Sequence, residues 1–335
     1  MLGSVVLLVG VVLLAVSNGT LDIAPITTVR AVWHGVTGQS LEGLELIVWN
    51  IRLPRVVFGA LVGASLAACG AAMQGLFRNP LADPYLTGVA SGAALGATAA
   101  IFAAGTQAAA FAASIVGHGE VSSLVPVFAF LGALGGVMLT VWLAGAARQS
   151  GTNALILAGV IVGSMLTAIT TYIQLHDADR MRAVFSWTLG NLALAGWSEV
   201  LVVLPFAITG FLALLALSRA LDALQLGEDT AQTLGLKLIW VKLGVVLASS
   251  LIAAAAVSFA GIIGFVGLVA PHVMRRLGRP NHRWLIPASA LAGASLLVLS
   301  DLLARTLTRP AELPVGVVTT LIGGPFFLWL LRRRG

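Results

Sequence analysis

The sequence predicts an all-α, polytopic membrane protein of about ten transmembrane helices. Composition is the first reason: 59% of the 335 residues are hydrophobic and 10% are charged, with a mean hydropathy of +1.00. A soluble domain carries about 25% charged residues, and a chain this apolar has too little polar surface to cover a globule in water. Apolar runs of about 20 residues, enough to cross a hydrocarbon core, recur along the whole chain. Glycines are often spaced four apart, at Gly59/Gly63, Gly88/Gly92/Gly96, Gly132/Gly136 and Gly159/Gly163. Small residues at that interval let membrane helices approach closely. Nothing divides the chain, so residues 1–335 read as one transmembrane domain.

The first run, 1–17, has no basic leader region, and Ala15-Val16-Ser17 is a poor cleavage site. It reads as a helix and not as a removable signal. Residues 18–50 are amphipathic, with Trp33 and Trp49 suited to a membrane–water interface. Spans follow at 56–77, 87–106, 124–146, 153–174, 198–218 and 238–259. The eighth, 262–276, is short and glycine-rich, which leaves nine as the alternative count; 284–304 and 315–331 complete the set.

An even number places both termini on one side, and Arg332-Arg333-Arg334 makes that side cytoplasmic by the positive-inside rule. The loops agree. Arg78, Arg148, Arg219, Lys237, Lys242, Arg275, Arg276, Arg279, Arg283 and the terminal arginines make twelve basic residues inside. Arg30, Arg52, Arg55, Arg180, Arg182, Arg305 and Arg309 make seven outside. Basic residues distributed this way are topology signals, so the formal charge of +6 does not point to nucleic acid. Cys69 stands alone in an apolar run, which excludes a disulfide or a cysteine-based metal cluster within one chain.

The segment from Gly261 to Arg276 is apolar yet carries three glycines and Pro271. Irregular backbone at membrane depth is tolerated only where protein or a water-filled cavity satisfies the freed polar groups, so the segment suits a conduit better than an anchor. Gly261 precedes Pro271 by the same ten residues that separate Gly70 from Pro80, a faint internal repeat. The run Gln74–Pro84 carries Asn79 and two prolines and reads as a fixed turn. Leu226–Gly235, with acids at Glu228 and Asp229 and a closing glycine, reads as a short surface helix with apolar positions to bury against a partner. Arg52, Arg55 and Arg305 fit two readings, as snorkelling anchors or as an electropositive docking surface.

Several absences narrow the function. No phosphate-binding loop, zinc-protease helix or nucleophile elbow occurs. Asp301, Arg305 and Glu312 lie at span ends, where charges can reach water. An ion-coupled carrier usually shows ionisable groups well inside its spans, and no such group is evident. His272 follows Pro271 with no second histidine in its segment and reads as structural.

Taken in order, these motifs resemble the FecCD family, the permease subunits of type II ABC importers for iron–siderophores, haem and vitamin B12. The resemblance covers almost the whole chain: Arg52-Leu53-Pro54-Arg55, Gly63 to Pro84, Leu157-Ala158-Gly159-Val160, Leu226 to Gly235, Gly261 to Arg275, Asp301 to Arg305, and Glu312 to Val318. It implies the type II permease fold, pairing with a second permease copy (a homodimer or pseudo-dimer), and a path along the two-fold interface. It implies a separate ATPase pair that binds ATP and Mg, leaving this chain without cofactor or catalytic site. It also implies a periplasmic or lipid-anchored substrate-binding protein. Leu226, Gly227, Glu228, Asp229, Thr230, Ala231, Gln232, Thr233, Leu234 and Gly235 look like the ATPase-coupling helix. Arg52, Arg55 and Arg305 look like the arginines that meet acidic residues of the binding protein. Asn79, Leu81, Thr152 and Asn153 fall where the family places its cytoplasmic gate. The expected cargo is an iron chelate, a ferric siderophore or haem, with cobalamin as the alternative. The expected location is a bacterial or archaeal cytoplasmic membrane.

Overall fold

The computed structural model describes residues 1–19, 23–116, 123–146, 152–279 and 281–332, and every regular element among them is helical. The chain opens with α1 (Leu2–Ser17) and the amphipathic α2 (Pro25–Thr37), which begins on a proline and closes at a left-handed Gly38. A short α3 (Leu44–Ile47) runs through a π-helical turn, Val48–Arg52, into α4 (Leu53–Leu76). A 3₁₀ turn at Pro84–Thr87 leads to α5 (Val89–Ala103), α6 (Gln107–Val116) and α7 (Leu124–Ala146). Then come α8 (Thr152–Gln174), α9 (Ala178–Thr188) and α10 (Trp197–Ala216). The short α11 (Ser218–Gln225) and α12 (Glu228–Thr233) precede α13 (Leu238–Ala260). Last are α14 (Val266–Leu277), α15 (His282–Thr306) and α16 (Val315–Arg332).

The ten expected spans fall on α1, α4, α5, α7, α8, α10, α13, α14, α15 and α16. Among the described residues, six helical segments are long and apolar enough to cross a membrane, and α1, α5 and α16 are shorter apolar helices. The eighth differs from expectation. Gly261–Gly264 is non-helical, and α14 has 12 residues, about 18 Å at 1.5 Å per residue. It is a half-helix. Of the basic topology signals, Arg148, Arg333 and Arg334 lie outside the described residues.

Helices α4 and α13 form the buried centre. α4 packs most extensively on α15, and α5 on α7. Glycine sets both contacts. A Cβ on Gly63 would stand 2.3 Å from the Gly293 carbonyl, and one on Gly92 would stand 2.2 Å from that of Gly132, so each pair of backbones touches without intervening side chains. Gly163, expected to pack in the same way, meets only Ser91 Oγ at 3.7 Å and borders a cleft instead.

The break between α13 and α14 is held by polar groups from two sides. The Asn191 amide donates to Ala260 O at 2.9 Å. The Tyr85 hydroxyl donates to Ile263 O at 3.0 Å and accepts from the Ile263 amide at 3.3 Å. Backbone groups freed at membrane depth are thereby satisfied by protein, as they must be. Phe265, just before α14, adopts a left-handed φ of 67°, unusual for a bulky residue. Its ring lies 6.2 Å from that of Phe327, and Gly323 leaves it room on α16.

Candidate transport site

A cleft of about 1040 Å³ runs beside α5 and α8, and its lining includes Ser91, Ser164, Thr167, Thr171 and Tyr172. On α8 the hydroxyls recur at helical spacing, so one face of an apolar helix is polar without being charged. Ser164 donates to Val160 O at 2.9 Å and Thr171 to Thr167 O at 2.9 Å. Ser164 and Thr171, already bonded along their own helix, offer a passing solute only their remaining acceptor capacity. This lining went unread in the sequence, although a run of Ser and Thr at intervals of three and four was its visible sign.

Two charged regions stand at opposite ends of the bundle, because α4 and α15 are antiparallel neighbours: Gln225 and Asp222 bond near Gly75 and His282, whereas Arg55 meets Asp301. At the first end lies the expected coupling segment. α12 covers six residues between left-handed Gly227 and Gly235, with Ala231 buried beneath it. Leu226 and Leu234, which flank α12, are 68% and 64% exposed, so the leucines of this segment are left uncovered while its alanine packs inward. Glu228 also turns inward. Lys242 Nζ on α13 donates to both its carboxylate oxygens at 2.8 Å, and Thr152 Oγ1 at the start of α8 donates at 2.7 Å. Burial pushes the Glu228 carboxyl up, but the bonds from Lys242 and Thr152 and the charges of Lys242 and Arg78 outweigh it and hold the group below its ordinary value.

The four expected gate residues are brought together only in part. Thr152 and Asn153 share a pocket of about 390 Å³ with Phe77, Arg78 and Glu228. Asn79 borders a separate pocket of about 300 Å³ with Gln74, Arg275 and Arg276. Leu81 is exposed, its amide donating to Asn79 Oδ1 at 2.9 Å. The turn itself is fixed as expected. Arg78 takes a left-handed φ of 49°, the Asn79 amide closes on Gln74 O at 3.2 Å, and Asp83 Oδ1 accepts the Tyr85 amide at 2.9 Å. His272 is buried, with its ring edge-on to Phe326 and Phe327.

At the other end the expected docking arginines are not on the surface. Arg52, Arg55 and Arg305 are 6%, 9% and 5% exposed. Arg55 Nη2 donates to Asp301 Oδ1 at 2.8 Å and lies 2.9 Å from Glu312 Oε2; Arg305 Nε lies 3.0 Å from Asp301 Oδ2. Arg52 and Arg305 also donate to the carbonyls of Val16 and Ala15 at the end of α1. The expectation that Asp301 and Arg305 reach water is therefore corrected. α1 covers them, and charges at a buried site persist by pairing. The carboxylate of Glu312 alone in this cluster is substantially accessible, at 35%.

A helical bundle with a hydroxyl-lined cleft beside α5 and α8 fits a membrane permease, and the comparisons with known proteins define the class as the permease subunit of an ABC transporter. The FecCD transport family profile matches residues 7–333, and the chain belongs to that family. The cobalamin import system permease protein BtuC of Halobacterium salinarum is 43% identical over 302 residues, 88% of this chain and 75% of that protein. The hemin transport system permease protein HmuU of Yersinia pestis is 39% identical over 347 residues, 100% and 96% of the two chains. A solved metal-chelate type ABC transporter in an inward-facing conformation superimposes with a TM-score of 0.84, 29% identity and coverage of 99% and 98%.

Proposed function

We propose that this chain is the membrane subunit of an ATP-driven importer that moves an iron chelate, a ferric siderophore or haem, across a bacterial or archaeal cytoplasmic membrane. The observation that carries this reading is the pairing of the roomy, uncharged, hydroxyl-lined cleft with a short helix flanked by two leucines, Leu226 and Leu234, left uncovered at the bundle end. The first gives a large polar solute weak contacts. The second gives an engine something to hold. Cobalamin is the second reading, favoured by the 43% identity to a cobalamin permease.

In this scheme two copies pair, and both termini face the cytoplasm. An ATPase pair carrying ATP and Mg grips Leu226–Gly235, and Asn79, Leu81, Thr152 and Asn153 close the cytoplasmic mouth. ATP-driven closure of the ATPases switches the paired permeases between two access states. A site that held cargo tightly in both states would trap it, and equal affinity for both would shift no equilibrium; selection therefore belongs to a periplasmic or lipid-anchored binding protein. That protein docks at the Arg55 end by a different route from a bare cationic surface. Its acidic lobes would replace Glu312, the accessible acid, on Arg55, while Asp301 keeps Arg305 in place.

The test is uptake into proteoliposomes holding this chain, its ATPase and its binding protein, with labelled ferric siderophore, haem and cobalamin compared. Uptake of one ligand only with a hydrolysis-competent ATPase is expected. Transport by the permease alone under an ion gradient would replace this reading with that of a secondary carrier.

A further inference from the structure

The Glu228 cluster joins three elements that the sequence keeps 76 and 14 residues apart. Glu228 opens α12, Thr152 opens α8 and Lys242 lies in the first part of α13. Lys242 is 8% exposed, so its ammonium has left bulk water and depends on its carboxylate partner. The geometry is strong: both carboxylate oxygens receive Nζ at 2.8 Å, and the Thr152 hydroxyl adds a third charge-assisted bond at 2.7 Å. Arg78, one residue from Asn79, borders the same pocket and adds its charge. The rest of α12 has no comparable hold on α8. Ala231 supplies its buried contact, and Thr233 donates only to Thr230 within the helix.

We infer that Glu228 is the positioning residue through which movement of α12 reaches α8, with Thr152 as the linkage and Lys242 as the fixed anchor on α13. The inference rests on the importer reading above and specifies how its coupling segment acts. α8 carries the hydroxyl face of the cleft and begins at Thr152. A pull on the carboxylate therefore acts directly on the helix that lines the passage. Hydrolysis in a partner would become displacement of α8 through the Thr152–Glu228 hydrogen bond, while the two bonds from Lys242 hold the carboxylate against α13 and the exposed leucines hold the partner itself.

The experiment measures cargo moved per ATP hydrolysed in the assembled, reconstituted transporter. Thr152→Val keeps side-chain shape and leaves the Glu228–Lys242 pair intact, so the protein folds and assembles. Cargo moved per ATP is expected to fall by about fivefold or more, the lower range of allosteric coupling. Because Thr152 also stands at the proposed cytoplasmic mouth, variants of Glu228, which leave Thr152 in place, separate linkage from gating. Glu228→Gln is expected to do the same or worse. The exchange Glu228→Lys with Lys242→Glu restores both the pair and a donor to Thr152 Oγ1, and should recover much of the lost coupling. Loss of thermal stability in Thr152→Val with unchanged cargo per ATP would reduce the cluster to a structural tie and overturn the inference. So would a charge exchange that recovers stability but not coupling. If the parent complex moves no cargo with ATP, the importer reading fails first, a result that these variants cannot produce.

Discussion

Asp83 closes the turn after α4 with one carboxylate oxygen on the Tyr85 amide, while the other lies near Gly267 of α14. No basic side chain pairs with it among the described ion pairs. Burial pushes this carboxyl up to about 6 from an ordinary 3.8, the Tyr85 amide only partly opposing it. The sign follows from linkage. A group whose folded value lies above its unfolded one stabilises the fold fully below the unfolded value, near pH 4, and loses that contribution as pH rises through about 6. Asp83→Asn keeps the acceptor for the Tyr85 amide and removes the charge. Thermal unfolding in detergent should therefore show the variant more stable than the parent at pH 8 and indistinguishable from it near pH 4. A variant less stable at pH 8 would mean that the carboxylate is held by attraction after all. The turn was legible at this scale, since Asn79, Pro80, Asp83 and Pro84 each have a local reason to be there. The burial of Asp301 and Arg305 was not. Both are near the end of their span in sequence, and the groups that enclose them come from far along the chain: Arg55 of α4 meets Asp301, and Ala15 of α1, 290 residues earlier, accepts from Arg305.

Among elements, the glycine-paired helices give the sharpest expectation. Gly92 and Gly132 face each other across α5 and α7 so closely that a Cβ on either would overlap the other's carbonyl. Gly92→Ala should cost about 1–3 kcal/mol, the range for overpacking an already filled contact. Gly135→Ala, on the same α7 but with open space around it, should cost nothing and gain slightly in helix propensity. Melting of the two variants side by side separates packing from propensity. Equal behaviour would mean that the helices part without penalty. The four-residue spacing announced the close approach but not the partner. Gly159, for instance, meets the Leu86 carbonyl in the turn before α5, and Gly163 faces the cleft. The short helix α12 was readable within Leu226–Gly235 from its leading acids and closing Gly235, and Gly227 and Gly235 both take positive φ at its flanks. The inward commitment of Glu228 was not, because its partners come from two other helices.

For the whole molecule, apolar runs located a helix at each of the ten expected spans. Among the described residues six of these are long and apolar enough to cross a membrane, while the half-helix α14 showed the limit of counting by hydropathy. The cleft beside α8 is a property of the assembled bundle, and its wetness can be measured. Cys69 is the sole cysteine and fully buried, so the native protein is silent to membrane-impermeant thiol reagents. Single cysteines at Ser164, Thr167 or Thr171 should react, whereas one at Leu7, on an exposed face of the apolar α1, should remain unlabelled in lipid. Equal silence at all four positions would make the cleft a lipid-filled groove. The Tyr85 hydroxyl adds a constraint on how such a bundle can move. Because one phenol serves both the carbonyl and the amide of Ile263, the 3₁₀ turn before α5 and the broken stretch before α14 share a single rivet. They are not two hinges but one, and any rocking that opens the passage must carry the two segments together or strand a polar backbone where there is no water to receive it.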